Sequence, residues 1–304
     1  MSNKFLMKIK IFLTALISGL VSLSAFAAPV GKWNDTPAGL PYIRYEGPAS
    51  YDVDGMNSDP YFLLGNYRVN LFTHVSGVYQ LISGERVWAR FNADPSVSDY
   101  GANKAAIVID NKRTELIGNR SIVSDRKKYV VESGVGFTRY DYTLDGGIKC
   151  SRMISVMPSE NINEGNPCFL LTITIRNTSS SVRKLTFDEV VLPSFVPVNT
   201  QCIPEAERPF RYSYHTDVSF RCVNVTFDTH AQDFYRTALP DMPFIHEEDP
   251  QDLFIYSPDG FLSILEDGVH VMMNDVKIRS GETRVLYAVI GMSDSETKKR
   301  AEEM

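Results

Sequence analysis

From about Tyr61 onward, the chain alternates hydrophobic and polar residues over short segments, which is the period of a half-buried β-strand. Turn-forming residues separate the segments, and no helical stretch intervenes between them. So many strands in succession predict stacked antiparallel sheets, that is, an all-β fold built as a large β-sandwich. The predicted strands are Tyr61 to Val75, Val78 to Phe91, Ala105 to Asp110, Lys128 to Ser133, Gly136 to Leu144, Ile148 to Val156, Cys168 to Asn177, Val182 to Leu192, Ser219 to Phe227, Leu253 to Tyr256, Phe261 to Leu265, Val269 to Ile278 and Thr283 to Ile290.

Local turn signals predict which neighbouring strands follow one another directly. Asp145-Gly146-Gly147 lies between two alternating segments and predicts a β-hairpin, because glycine tolerates the positive φ of tight turns. The serine run Ser179-Ser180-Ser181 predicts a second strand pair, and Arg279-Ser280-Gly281-Glu282 predicts a turn between the last two strands.

The segments around the sandwich differ from it in composition. Residues 28–60 are rich in Pro, Gly, Asp and Tyr without a sustained period, which predicts an irregular lead-in to a domain over 61–292. Residues 193–252 contain many prolines and predict a long excursion on the surface or over a binding face. Ser293 with Glu296 forms a capping box, so we expect a linker helix to begin in 293–304.

The first 27 residues have the organisation of a secretory signal peptide. Lys4, Lys8 and Lys10 precede a short apolar run, which ends in Ala25-Phe26-Ala27. The run is shorter than the roughly 20 residues that cross a bilayer, so we expect cleavage after Ala27 and no membrane association afterwards. The protein is therefore predicted to be exported, to the periplasm or outside the cell.

Charge and cysteine usage narrow the function classes. The chain has 31 Lys and Arg against 37 Asp and Glu, a net charge of −6, and lacks the basic surface that nucleic acids require. Cys150, Cys168, Cys202 and Cys222 lack zinc-site spacing, so no metal or other cofactor is predicted. Export permits disulfides, for example between Cys202 and Cys222, while buried thiols are the alternative in a domain of this size.

One stretch carries a family resemblance. Its segments are Gly65-Asn66-Tyr67-Arg68, then Gly77-Val78-Tyr79, then Arg86 to Arg90, then Asp94 with Asp99-Tyr100-Gly101. Their order resembles the start of the amino-terminal β-supersandwich of the cellobiose and chitobiose phosphorylases, glycoside hydrolase family 94. The match departs from the family pattern at His74-Val75-Ser76, where glycines and asparagine are usual, and at Tyr100, which replaces tryptophan.

The resemblance implies a galactose mutarotase-like β-supersandwich followed by a linker helix and an (α/α)6 barrel. In that family the catalytic acid and the phosphate-binding groups lie in the barrel, which would begin after residue 304. We therefore expect this chain to contain no catalytic residue, to be inactive alone, and to have as partners an oligo- or disaccharide and an (α/α)6 catalytic domain.

Several side chains in this stretch are candidates for carbohydrate binding. Trp88 offers an aromatic face to a sugar ring, although a single Trp in a strand also suits a core. Arg86 and Arg90 share one face of a strand, where they either donate hydrogen bonds to sugar hydroxyl groups or pair with nearby carboxylates. His74 is expected on a loop, from which it would donate to a hydroxyl group. The candidates are Arg68, His74, Tyr79, Arg86, Trp88 and Arg90.

Three functional hypotheses follow. The first is a carbohydrate-binding or scaffold domain of an exported, glycoside phosphorylase-like protein. The second is a self-contained mutarotase- or epimerase-like enzyme, which needs a buried His and a carboxylate facing each other across a pocket, with His74 or His215 as the best candidates. The third is an exported structural sandwich that acts through protein contacts.

Overall fold

The computed structural model is built almost entirely of β-strands. It describes residues 31–45, 61–66, 68–83, 89–90, 92, 103–118, 121–125, 127–161, 165–193, 196–197, 214–219, 221–227 and 252–293. The strands are β1 Gly31–Asp35, β2 Pro41–Tyr45, β3 Tyr61–Gly65, β4 Val69–His74, β5 Tyr79–Ser83, β6 Ala89–Arg90, β7 Asn103–Ile109, β8 Lys112–Glu115, β9 Tyr129–Gly134, β10 Phe137–Leu144, β11 Ile148–Ser155, β12 Cys168–Asn177, β13 Arg183–Val191, β14 Val196–Pro197, β15 Tyr214–Ser219, β16 Cys222–Phe227, β17 Asp252–Tyr256, β18 Phe261–Leu265, β19 Gly268–Ile278 and β20 Thr283–Ser293. The helices in these ranges are single 3-10 turns, Ile122–Ser124 and Asp145–Gly147, and none could span a membrane.

The strands form three antiparallel sheets, which confirms the predicted all-β class. The largest has ten strands in the order β1-β2-β9-β10-β11-β12-β20-β17-β16-β15. Two five-stranded sheets have the orders β18-β19-β13-β7-β8 and β14-β6-β5-β4-β3.

One hydrophobic core lies between the ten-stranded sheet and the two smaller sheets. Strand β10 buries Thr138, Tyr140, Tyr142 and Leu144 and turns the intervening residues outward. Side chains from all three sheets join a single buried cluster, to which Phe187 of β13 is one contributor. Each fully buried apolar side chain of this size contributes about 1.5–3 kcal/mol. The apolar positions of the period-2 pattern in the sequence thus correspond to the side chains that each strand turns toward the core.

The hairpin predicted at residues 145–147 is confirmed. Strands β10 and β11 pair from Phe137 opposite Ser155 to Leu144 opposite Ile148. Gly146 and Gly147 both have positive φ, 73° and 76°. A Cβ at Gly147 would also approach Ser179 to 3.0 Å, so the turn needs glycine for two reasons.

The predicted pairing of Cys168 to Asn177 with Val182 to Leu192 is wrong, although the turn between these strands exists. Strand β12 pairs with β11 and β20, whereas β13 pairs with β7 and β19, so the serine run at 179–181 crosses between layers. The turn at 279–282 likewise leads from β19 in a five-stranded sheet to β20 in the ten-stranded sheet. Each turn reverses the chain, but burying both strands against the same core places them in opposite layers.

Asn177 joins these two crossings. Its Nδ2 donates to the carbonyl oxygens of Ser181 at 2.7 Å and Ile278 at 2.9 Å, and its Oδ1 accepts from the backbone N–H of Ser179 at 2.9 Å. Its backbone N–H donates to the carbonyl of Glu282. The side chain is fully buried, so one amide fixes both connections between the layers.

The lead-in contains structure that the sequence did not predict. Strands β1 and β2 lie within residues 28–60, and β2 pairs with β9, so the ten-stranded sheet begins before residue 61. The predicted strand Ser219 to Phe227 contains β16, which pairs with β15, a strand that the sequence did not predict; Arg221 in the turn between them has φ 63°. The predicted leader and Cys202 lie outside the described residues, as does the predicted helix except for Ser293, which ends β20.

Candidate functional site

Arg68 lies in the turn between β3 and β4 and binds backbone. Its Nη1 donates to the carbonyl oxygen of Gly165 at 3.2 Å. The preceding Asn66 is buried, and its Nδ2 donates to the carbonyls of Met157 and Asn166 at 3.0 and 2.8 Å. The first part of the sequence motif therefore attaches the β3–β4 turn to the loop that precedes β12. Sugar binding by Arg68 remains a prediction.

His74 is fully buried at the end of β4, not on an exposed loop as the sequence suggested. Its Nδ1 accepts from the backbone N–H of Ser76 at 3.1 Å and lies 2.8 Å from Oγ of the same residue. Burial lowers the pKa of His74 to about 4, so the ring is neutral near pH 7. Because its side chain has no exposed surface, a sugar hydroxyl cannot reach it in this conformation.

Tyr79 is also fully buried, at the start of β5. Its ring packs edge-on against Phe169, with centroids 5.1 Å apart, and lies under the guanidinium of Arg152 at 5.5 Å. Burial raises the pKa of its hydroxyl, assisted by the charge of Glu189. The structure therefore gives Tyr79 a place in the core.

The structure does not describe the side chains of the three remaining candidates, Arg86, Trp88 and Arg90. Arg86 and Trp88 lie outside the described residues. The backbone of Arg90 forms β6, opposite Ile82 of β5 and Val196 of β14, while its side chain is outside the description. Carbohydrate binding by these three stays a prediction.

A buried ion pair near Tyr79 was not foreseen. Nε and Nη2 of Arg152 in β11 donate to the two carboxylate oxygens of Glu189 in β13, at 2.8 and 2.5 Å. Both side chains are 0% exposed. Nη1 of Arg152 donates to the carbonyl of Gly77 at 2.9 Å, so the pair also fixes the β4–β5 turn.

The sequence did contain a signal for this pair. The inward positions of β11 are occupied by Ile148, Cys150, Arg152 and Ile154. The charged Arg152 therefore stands at a position where the alternation predicts a buried side chain. Glu189 has the same phase in β13, among Leu185, Phe187 and Val191. Two opposite charges at inward positions of two strands indicate a buried pair, since an unpaired buried charge is very costly. Solvent cannot reach this pair, so it supports the fold and not a ligand site.

The outward side chains of β2, β9, β10, β11, β12 and β20 form an ordered surface, which we call the outer face. At its end beside β17, Cys168, Val289 and Phe254 are buried in a second hydrophobic cluster. Its residues stand in rows across the strands, in hydrogen-bonded register. The Glu132 row is Arg44, Glu132, Arg139, Met153, Thr172 and Tyr287. The Asp141 row is Val130, Asp141, Ser151, Thr174 and Val285, and the Lys149 row is Thr143, Lys149, Arg176 and Thr283.

Glu132 is the centre of a charged cluster on the outer face. Nη1 of Arg44 donates to its Oε1 at 2.9 Å, and Nη2 of Arg139 donates to its Oε2 at 2.5 Å. The Glu132 side chain is 7% exposed, whereas Arg44 and Arg139 are 42% and 41% exposed. Nε of Arg139 also binds Asp141 at 3.1 Å. The carboxylate thus holds both guanidinium groups in place, and that of Arg139 stays 41% exposed.

The neighbouring positions of the outer face carry hydroxyl groups and an aromatic ring. Ser151, Thr172 and Thr174 are half-buried and Tyr287 is 40% exposed. Their strands are central in the sheet, so the backbone holds these groups in fixed positions. Fixed donors, acceptors and an aromatic face on one surface are suited to a polyhydroxylated ligand.

A histidine does meet carboxylates, but on the opposite layer. Nδ1 of His270 in β19 lies 2.9 Å from Oδ1 of Asp188, and its Nε2 lies 2.8 Å from Oδ1 of Asp267. Both ring nitrogens are therefore engaged with carboxylates. His74 contacts Ser76 and Tyr61, and the side chain of His215 is outside the described residues. The described residues do not bring together the His and carboxylate across a pocket that the mutarotase-like hypothesis requires.

A cleft of about 380 Å³ lies beside β8 and the 145–147 turn. Charged residues in its lining already pair with one another, Arg113 with Glu115 at 2.6 Å and Lys128 with Asp145 at 3.0 Å. Hydrogen bonds from Lys112 and Lys128 lower the pKa of Asp145 to about 2. Within the described ranges, no three His, Cys, Asp or Glu side chains are placed to bind a metal ion. The outer face is therefore the better candidate for a ligand surface.

The fold is similar to part of a carbohydrate-active enzyme. A protein named as a kojibiose phosphorylase, from the human microbiome, matches with a TM-score of 0.51 and 10% identity, over 91% of this chain and 36% of that one. An Escherichia coli K12 protein named as an aldose 1-epimerase matches with a TM-score of 0.42 and 8% identity, over 78% of this chain and 99% of that one. No family model matches the sequence, and no curated protein does.

These similarities concern the fold alone. We draw on the phosphorylase because its TM-score exceeds 0.5. The chain spans about a third of the length of that enzyme. The sequence-based expectation of a β-sandwich of the kind found in a sugar-active enzyme is confirmed. Membership of glycoside hydrolase family 94 stays a prediction.

Proposed function

We propose that this chain is a carbohydrate-binding or scaffold domain of an exported, carbohydrate-active protein, and that the outer face of its ten-stranded sheet meets the saccharide. The observation that carries the proposal is the Glu132 row, where one buried carboxylate holds two half-exposed guanidinium groups beside hydroxyl and aromatic side chains. The planar guanidinium group of arginine donates directional hydrogen bonds to ligand oxygens. Export rests on the predicted leader alone.

The scaffold part of the proposal rests on the family resemblance and on chain length. The kojibiose phosphorylase that shares this fold is almost three times as long as the matched part. The groups that act on the glycosidic bond would then lie in an (α/α)6 domain, and this chain would support that domain or present sugar to it. Measured turnover of a glycoside by this chain alone would contradict the scaffold role.

Calorimetric titration of the purified protein with β-linked disaccharides and longer oligosaccharides tests binding directly. Arg139→Gln should weaken binding roughly tenfold or more, because a hydrogen bond from a charged group contributes about 1.5–3 kcal/mol. Arg113→Gln is the matched control, since Arg113 is also a half-exposed, carboxylate-paired arginine in a strand, but in β8 of a five-stranded sheet.

Equal loss of affinity in both variants would mean that the outer face is not the binding surface. If the unaltered protein binds none of the sugars, only the scaffold role remains. Circular dichroism of each variant checks that the fold is retained.

A further inference from the structure

Lys149 and Arg176 form an unusual pair on the outer face. They are directly opposite each other on β11 and β12, and both are exposed. Opposite residues of antiparallel strands have Cβ atoms about 4.5–5.5 Å apart, where like charges destabilise the sheet. Neither side chain makes an ion pair or hydrogen bond with any residue that the structure describes.

Another cross-strand pair of cations in the protein has a counter-ion. Lys184 of β13 is opposite Lys277 of β19 on a five-stranded sheet. There Nζ of Lys184 lies 3.0 Å from Oδ1 of Asp275, which offsets the repulsion. No described carboxylate plays this part beside Lys149 and Arg176, so their charges remain available to an anion from outside.

The charge of the outer face is opposite in sign to that of the whole chain. Acidic residues exceed basic ones overall, 37 to 31. Among the outer-face side chains described on β2, β9, β10, β11, β12 and β20, cations exceed carboxylates: Arg44, Arg139, Lys149 and Arg176 against Glu132 and Asp141. A cationic surface on an acidic protein favours encounters with anionic ligands.

The spacing of these cations suits an oligosaccharide of several units and not a single sugar. Lys149 and Met153 are four residues apart on β11, which is about 13 Å at the rise of an antiparallel strand. Arg139 is opposite Met153, so cations stand at both ends of a strip that contains Ser151, Thr172 and Thr174 between them.

From these observations we propose that the outer face binds anionic oligosaccharides, which carry carboxylate or sulfate groups, and that Lys149 and Arg176 select them. This inference rests on the proposed function, because it names the substrate class of the same surface. The hydroxyl strip would contact the neutral part of the saccharide, while the cations would contact its charged groups.

The test compares ligands that differ only in charge. Oligogalacturonate is titrated beside its methyl ester, and a sulfated laminari-oligosaccharide beside its unsulfated parent. We expect the charged member of at least one couple to bind more tightly, and to lose affinity as salt increases, since exposed charges are screened. Which couple shows the preference distinguishes carboxylate from sulfate.

The double variant Lys149→Gln/Arg176→Gln should reduce the preference for the charged ligand by about twofold to thirtyfold, at about 0.2–1 kcal/mol for each exposed charge. Lys184→Gln/Lys277→Gln is the matched control and should leave it unchanged. Equal binding of charged and neutral ligands would overturn this inference while the proposed saccharide binding stands. A preference that survives the first double variant would overturn the assignment to Lys149 and Arg176, and no binding of any ligand would overturn both the inference and the binding role.

Discussion

Replacing Glu189 by Gln should strongly destabilise the protein, because it leaves the buried guanidinium of Arg152 without its counter-ion. Both side chains are 0% exposed, and the carboxylate accepts two hydrogen bonds from Arg152, at 2.8 and 2.5 Å. Arg152 cannot relieve the loss by releasing its proton, because arginine stays charged in proteins. Its proximity to Glu189 raises the pKa of Arg152 further, although burial acts in the opposite direction.

The size of the loss follows from two independent arguments. At an effective dielectric constant of about 20, two unit charges about 4 Å apart attract by about 4 kcal/mol. Removal of one partner from buried ion pairs typically costs about 3–5 kcal/mol. We therefore expect Glu189→Gln to lower the free energy of unfolding by about 4 kcal/mol, a large share of the roughly 5–15 kcal/mol of a typical domain.

Urea unfolding followed by circular dichroism measures this loss. Glu115→Gln is the matched control, since Glu115 pairs with Arg113 at 2.6 Å but is 47% exposed, and should cost at most about 1 kcal/mol. If Glu189→Gln does not fold, the double variant Arg152→Met/Glu189→Leu should recover stability, because it removes both charges. A cost for Glu189→Gln no larger than that for Glu115→Gln would refute the argument that the pair is desolvated.

Three further predictions concern the fold. Asn177→Ala should cost about 2–3 kcal/mol in urea unfolding, because it removes the amide donor from the buried carbonyl of Ile278 and from the partly buried carbonyl of Ser181. Asn34→Ala on the exposed β1 is the control and should cost almost nothing. Equal costs would contradict the role given to Asn177. Burial lowers the pKa of His74 from 6.5 to about 4, so the unfolded state binds a proton that the folded state excludes, and stability should fall by about 3 kcal/mol as the pH drops from 6.5 to 4. His74→Gln should flatten this part of the pH profile, and an unchanged slope would show that another group titrates there. Burial raises the pKa values of Cys150 and Cys168 to about 12, so iodoacetamide at pH 8 should label both slowly in the native protein and rapidly in guanidinium chloride, as read by mass spectrometry of each site; rapid native labelling would contradict their burial.

The sequence alone determined many of the longer strands, although the segment predicted from Tyr61 to Val75 is two strands, β3 and β4. Alternation of apolar and polar residues gave β12 its bounds, Cys168–Asn177, and β18 its bounds, Phe261–Leu265. It also located the hairpin at residues 145–147. These features are local, because the period depends on one strand and the turn on a few residues that need positive φ. Alternation did not predict β1 and β2, because they lack a clear period. Pairing with β9 holds β2 in the sheet, and pairing with β2 holds β1.

Only the tertiary structure decided which strands pair and which side chains meet. A turn signal at 179–181 is the same whether the next strand joins its own sheet or the opposite layer, and packing against a common core selected the second. The sequence offered His74 and Tyr79 as sugar-binding candidates, but both are fully buried. Tyr79 packs against Phe169 of the ten-stranded sheet, whereas His74 contacts Tyr61 and Ser76. The Glu132 row is completed by β2 and β20, which are far from β9 to β12 in the chain but stand in register with them, and no local pattern encodes that register.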